Sequence, residues 1–301
     1  MSLDLSAAQT AMQGLADQLG MSVTDAAHGV YKVVNENMIS ACRVHLAERG
    51  EDPRRLKLMA FGGAGPVHAH QIARALKMRG YICPTSAGVA SALGFLTAPI
   101  AFDFARTFMG RLTQDLHAEI DAVFAEMEVE GRATLARAGV PAGEMRFARA
   151  ADLRHVGQGH EITVALPDGP LANVNLDETL RPYFYEEYEK VYGHAHRHLG
   201  LEVMTLRLTA TGGTPNIDLP RVEHDPASAE RAVKGHRPAY FADLGGFVDT
   251  PVYDRYALRA GATFAGPAIV EERDSTAVIG PHATVTVDEY QNLVVELEYG
   301  E

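Results

Sequence analysis

Basic residues are in short supply. Lys and Arg number 27 against 39 Asp and Glu, which leaves a formal charge of −12. A surface this acidic excludes broad nucleic-acid binding and docking on an anionic membrane face, while a local pocket for one nucleotide stays compatible with it. Cysteine is scarcer still. Cys42 and Cys83 are the only two, with no C-x-x-C pair and no disulfide framework, which fits a reducing compartment. No apolar run reaches the ~18 residues of a membrane span. Met1-Ser2-Leu3-Asp4-Leu5 lacks the basic and apolar blocks of a signal peptide. The chain therefore reads as cytoplasmic and soluble. It has no fixed-period repeat and no low-complexity tract. What is present is ordinary: 47% apolar and 22% charged residues over 301 positions. That suffices for one large domain or two smaller ones, and it argues against wholesale disorder.

Periodicity predicts a helix over residues 7–20. A longer amphipathic helix is predicted from Asp25 to Glu48, capped by Thr24 or Asp25 and stopped by Gly50. Lys57–Phe61 reads as a short strand running into Gly62-Gly63-Ala64-Gly65-Pro66. A helix follows over Val67–Met78, then a strand at Tyr81–Pro84. This strand, turn, helix, strand order is an α/β unit. The remainder predicts helices at Leu116–Ala138 and Leu176–Val191, and strands at Phe147–Leu153, Glu161–Leu166 and Glu202–Thr211. Residues 213–236 hold three prolines and many charges and read as a surface loop or linker. Six short strands between Pro238 and Glu296 then suggest a small β-barrel or sandwich. The expected fold is thus α/β followed by β-rich. Its segments are 1–108, 109–212 (α+β), 213–236 (linker) and 237–301 (β domain).

Gly62-Gly63-Ala64-Gly65-Pro66 is the most informative stretch. Glycines between a strand and a helix let a ligand approach the backbone at a helix N-terminus, which favours a nucleotide or phosphate. A tight turn needing positive φ explains the same residues without a ligand. The stretch is not a P-loop, because no Lys-Ser/Thr follows. Nor is it G-x-G-x-x-G, and the residues near position 82, Ile82-Cys83-Pro84, offer no ribose-binding acid, so a Rossmann oxidoreductase is excluded.

Leu58–Ala69, which contains the glycine turn and His68, resembles a segment of the hydantoinase A / 5-oxoprolinase family. So do Gly29–Met38, Glu48–Arg54, Ala87–Gly94, Asp103–Thr107, Arg154–Glu161, Tyr192–His194, Thr250–Arg255 and Gly266–Thr276. The series keeps the family's order from about Ala26 to Glu296, and residues before Ala26 fall outside it. The resemblance implies part of an actin-like ATPase lobe of the acetate kinase, sugar kinase, Hsp70 and actin group. It implies that Gly62, Gly63, Ala64, Gly65, Pro66 and His68 lie on the adenosine side of a site for ATP with Mg²⁺. The Asp-x-Gly-Gly-Thr type phosphate loop of that fold is absent from this sequence. The resemblance therefore implies a split-gene subunit whose hetero-oligomeric partner carries the loop. It implies an ATP-dependent ketone carboxylase of the acetophenone carboxylase type. The alternatives are part of an ATP-dependent hydantoinase or oxoprolinase, or a purely structural subunit.

No catalytic residue and no metal ligand is assigned. His68 can face the nucleotide or a metal-bound water, or be a satisfied polar side chain near a charged interface. Asn35, Glu36 and Asn37 on the long helix can approach a nucleotide cleft or serve capping or helix–helix hydrogen bonding, and the latter is favoured. His194, His196 and His198 have metal-ligand spacing, but Gly193 favours a solvated turn. His155 and His160 flank Gly157-Gln158-Gly159, a hairpin turn. Asp274-Ser275-Thr276 reads as a β-turn rather than a nucleophile site.

Overall fold

The computed structural model describes residues 4–171, 175–215 and 217–300. Met1, Ser2 and Leu3 of the N-terminal stretch, and Asn216 of the 213–236 stretch, lie outside the described residues. Helix α1 (Leu5–Leu19) is capped by Asp4 and ends at Gly20 in the left-handed region. Helix α2 (Val23–Glu48) begins at Ser22, whose hydroxyl accepts from the Asp25 N–H at 3.1 Å. Ser22 therefore takes the capping role expected of Thr24 or Asp25. Asp25 instead supplies negative charge inside the first turn, where the helix dipole favours it. Strand β1 (Lys57–Met59), helix α3 (Gly65–Ala75) and strand β2 (Gly80–Cys83) give the expected strand, turn, helix, strand order.

Next come α4 (Ala90–Thr97), β3 (Ala101–Arg111), α5 (His117–Arg137), β4 (Arg146–His155) and β5 (Ile162–Ala165). Then follow α6 (Leu176–Tyr192), β6 (Leu201–Thr211), α7 (Ser228–Arg231), β7 (Val233–Phe241) and β8 (Gly246–Asp254). The chain closes with β9 (Thr263–Ala265), β10 (Ala268–Glu271), β11 (Thr276–Ile279), β12 (Ala283–Val287) and β13 (Leu293–Leu297). Among the described residues no helix is long and apolar enough to cross a membrane.

Two compact units emerge, and their boundaries differ from the expected segments. Residues 1–93 and 218–301 form one unit, and residues 94–217 form the other. In the first, β1 and β2 pair in parallel, and β13 pairs antiparallel to β2, with Leu293 opposite Cys83 and Val295 opposite Tyr81. The sheet order is β1-β2-β13-β12-β9. The late strands therefore complete the sheet that the early ones begin, rather than standing apart as 237–301. A second sheet of the same unit runs β11-β10-β8-β7. The core is Tyr81, Cys83, Leu258, Ile279, Val285, Leu293 and Val295, with Ala69 and Ala73 from α3, all buried. The 213–236 stretch is not surface loop throughout. Ser228, Ala229 and Ala232 are buried, and α7 and the start of β7 fall inside it.

The second unit is an antiparallel sheet ordered β3-β6-β4-β5. Helix α5 contacts β3 and β6, and α6 contacts β5. Phe124, Met127, Leu153, Phe184 and Leu206 form its dry centre. Asp152, almost fully buried on β4, accepts from Arg207 Nε at 2.9 Å and from Thr163 Oγ1 at 2.7 Å, so its carboxylate is not left unpaired.

Candidate functional site

The glycine turn is the point at which β1 stops pairing and α3 starts. The Ala60 N–H donates to the Ile82 carbonyl at 2.8 Å, the last link to β2. Gly62 then takes a φ of +89°, which a side chain would strain, and its N–H donates to the Ala87 carbonyl at 2.7 Å. Gly63 needs no unusual φ, and a Cβ there would reach nothing closer than the Asp274 carbonyl oxygen at 3.5 Å. Ala64 occupies the helix-capping position without a side-chain hydrogen bond, Pro66 lies in the first turn, and no acid stands there. Among the described residues the positive end of α3 thus has no side-chain cap of its own and no acid in its first turn.

Two other stretches close on this turn. Ser86, in the left-handed region, donates its N–H to Glu272 Oε2 at 2.9 Å. Gly88 touches the backbone of Asp274 so closely that a Cβ would fall 2.3 Å from the Asp274 oxygen. Ser275 Oγ donates to the Gly63 carbonyl at 3.3 Å. A hollow lined by Ser86, Val89, Tyr256, Arg273 and Asp274 opens at this junction. Among the described residues Asp274 Oδ2 is buried without a hydrogen-bond partner. Thus residues 61–66, 86–89 and 272–275, remote in sequence, share one place.

A buried cation supports the junction. Arg255 is 1% exposed, and its Nη2 donates to the Cys83 carbonyl at 2.8 Å. Burial lowers its pKa, against the charges of Glu272, Cys83 and Asp288. Burial likewise raises the Glu272 carboxyl, only partly offset by Arg255. The Cys83 thiol is pushed up to about 12 by burial, so it stays protonated and unreactive. Reading the sequence alone misses the role of Arg255, Glu272 and Gly88. The available signal is that all three sit in stretches that recur in family order.

The other sequence candidates fall elsewhere. His68 is turned onto α2. Its Nδ1 lies 3.1 Å from Asn35 Oδ1, and its ring stacks on Tyr31 at 5.3 Å. Asn35 is buried and donates to the Tyr31 carbonyl at 2.9 Å, while Glu36 and Asn37 are exposed. Asn35 and His68 therefore tie α2 to α3, and burial lowers the His68 pKa. His194, His196 and His198 follow the left-handed Gly193 in irregular backbone, not on a strand. Their rings neighbour one another at 5.1 and 6.1 Å between centroids. Among the described residues no group of three or more His, Cys, Asp or Glu is arranged to hold a metal ion. Gly157, at φ +84°, turns the β4–β5 hairpin, and Gln158 Nε2 donates to Tyr188 Oη at 2.6 Å. The stretch at Asp274 is the β10–β11 turn, closed by Glu272 N–H to Ser275 carbonyl at 3.0 Å.

The hydantoinase/oxoprolinase profile matches residues 1–104, and the hydantoinase/oxoprolinase C-terminal domain profile matches residues 111–297. The likeness starts at residue 1 rather than at Ala26, so α1 belongs to it. An uncharacterized protein of Methanocaldococcus jannaschii is 33% identical over 291 residues, covering 96% of this chain and 40% of that protein. The acetophenone carboxylase gamma subunit of Aromatoleum aromaticum is 26% identical over 297 residues, 94% of this chain and 40% of that subunit. The crystal structure of ATP-dependent caprolactamase from Pseudomonas jessenii superposes with a TM-score of 0.81 at 25% identity, covering 99% of this chain and 43% of that one. The chain spans about two fifths of the length of these relatives.

Proposed function

The chain belongs to the hydantoinase/oxoprolinase family, and on that premise we propose that its glycine turn forms the adenosine side of an ATP site in an ATP-dependent ketone carboxylase. The observation that carries this is the convergence of residues 61–66, 86–89 and 272–275 at the uncapped start of α3. A nucleotide needs close backbone approach, and Gly63 offers a face with no Cβ and no strained φ. Arg255 and Glu272 hold the Cys83–Ser86 backbone in place, and Asp274 Oδ2 is a buried acceptor with no hydrogen-bond partner among the described residues. The phosphates and Mg²⁺ lie, in this reading, on a complementary half that carries an Asp-x-Gly-Gly-Thr type loop, on a partner subunit. ATP would supply phosphoryl activation of bicarbonate and of the ketone's enol. The residues of this chain contribute positioning and dipole stabilisation rather than covalent steps.

The caprolactamase likeness favours a second reading, ATP-dependent opening of a cyclic amide. A purely bracing role is the third. Purification of the chain with its native partners, followed by phosphate release from ATP–Mg²⁺, separates them. Release stimulated by acetophenone with bicarbonate supports the carboxylase. Release stimulated by caprolactam alone transfers the same site to amide hydrolysis. Turnover that is indifferent to Gly63→Val makes this chain a brace.

A further inference from the structure

Within the first unit a cavity of about 580 Å³ lies between the three helices α1, α2 and α3 and the strands of the β11-β10-β8-β7 sheet. That volume is in the range of small-molecule sites. Its walls are apolar and aromatic. Leu5 and Met12 come from α1, Tyr31 from α2, Val67 from α3, Tyr240 from β7 and Phe247 from β8. The charged residues in the lining, Arg237 and Asp243, are both spoken for. Arg237 pairs with Glu271 at 3.3 Å, and Asp243 with Arg74 at 3.1 Å. Among the described residues neither the Arg237 guanidinium nor the Asp243 carboxylate is left unpaired for an ionic ligand.

His70 also lines the cavity and is 2% exposed. Neither ring nitrogen has a hydrogen-bond partner among the described residues. A buried imidazole left this way is costly, so the site calls for a hydrogen-bonding group from elsewhere. The ring is held in place. Tyr81 meets it edge-on at 6.2 Å, and Gly280 lies so close that a Cβ would fall 2.2 Å from Nε2. Burial and the Arg74 charge bring its pKa down to about 4, with Asp243 opposing and His282 adding to the fall. At neutral pH the ring thus has one donor and one acceptor and no charge.

We propose that this cavity binds a small, uncharged ring compound bearing one hydroxyl or carbonyl oxygen, its ring among Tyr31, Tyr240 and Phe247 and its oxygen on the His70 imidazole. The proposal does not depend on the nucleotide reading, because none of the glycine-turn residues lines the cavity.

Calorimetric titration of the whole chain with phenol, cyclohexanone and benzene tests it. Phenol and cyclohexanone are expected to saturate one site, with benzene about tenfold weaker for want of the hydrogen bond. His70→Phe is expected to erase that tenfold preference while retaining benzene. Ala8→Trp, on the exposed face of α1, and Ala239→Trp, on β7, are expected to fill the space and abolish binding of all three. Ala8→Trp leaves the core untouched, so misfolding does not mask its result. Absence of saturable binding overturns the proposal. So does equal affinity for phenol and benzene in the natural chain, which would leave His70 to water alone. Phenol binding that survives both tryptophan variants also overturns it.

Discussion

Gly88→Ala is expected to destabilise the first unit by about 3 kcal/mol and to abolish nucleotide binding, whereas Gly63→Ala is expected to leave the fold intact. The difference is a matter of distances. A Cβ at Gly88 meets the Asp274 carbonyl oxygen at 2.3 Å and its carbon at 2.8 Å, both backbone atoms of the β10–β11 turn. Neither can swing aside as a flexible side chain would, so the turn must shift. With it goes the Ser275 contact to Gly63, and with that the shape of the glycine turn. A Cβ at Gly63 makes only an ordinary 3.5 Å contact with the same residue. Hydrogen exchange of the β2 and β13 amides reads the stability of the unit directly. Equal protection in the two variants would show that the 86–89 and 272–275 stretches do not brace one another.

Acidification is expected to produce the second large effect, through His70. Its folded pKa of about 4 lies below the ordinary imidazole value of 6.5, so the folded state resists the proton that the unfolded chain accepts. Stability is therefore fully present above about pH 6.5 and is lost progressively as the pH falls toward 4. The loss from this group is about 2 to 3 kcal/mol at about pH 4.5. His68, also lowered by burial, adds in the same direction. Glu272, raised by burial, opposes, because its neutral form is the one the fold prefers. His70→Phe should flatten the profile between about pH 6.5 and 4.5 in the same hydrogen-exchange measurement. An unchanged slope would mean that the imidazole already has a proton acceptor in solution.

Much of the local structure was legible in the sequence. The three- and four-residue spacing of Val30, Val34, Met38 and Ile39 marks α2, and the strand, glycine, helix order marks β1, the turn and α3. Strand β3 escaped notice because its burial does not alternate. Most of Ala101–Arg111 is exposed on both faces, and its partner β6 carries the hydrophobic signal for the pair. Strand β9 is three residues long, too short for any period. The grouping of the chain ends was hidden for another reason. A strand such as Leu293–Leu297 looks the same locally whether it closes a terminal barrel or pairs with β2, and only the long-range register decides. The site was half legible for the same reason. The glycines declare themselves in one stretch, while Gly88, Arg255, Glu272 and Asp274 reach the turn only through sheet pairing. The cap of α2 was missed by a local competition, since Ser22, Thr24 and Asp25 all have capping chemistry and only the backbone at Ser22 is extended.

The glycine turn is expected to hold the nucleotide when the complementary half is present. The most direct test is a calorimetric titration of ATP–Mg²⁺ into the natural complex, with the unaltered chain and with Gly63→Val. Gly63 is exposed and a Cβ there makes only an ordinary 3.5 Å contact, so the fold should persist while the branched side chain blocks the face offered to the ligand. Saturable ATP binding that disappears in Gly63→Val, with the complex still assembled, is the predicted result. Binding of equal affinity in both complexes would contradict the account and place the nucleotide wholly on the partner.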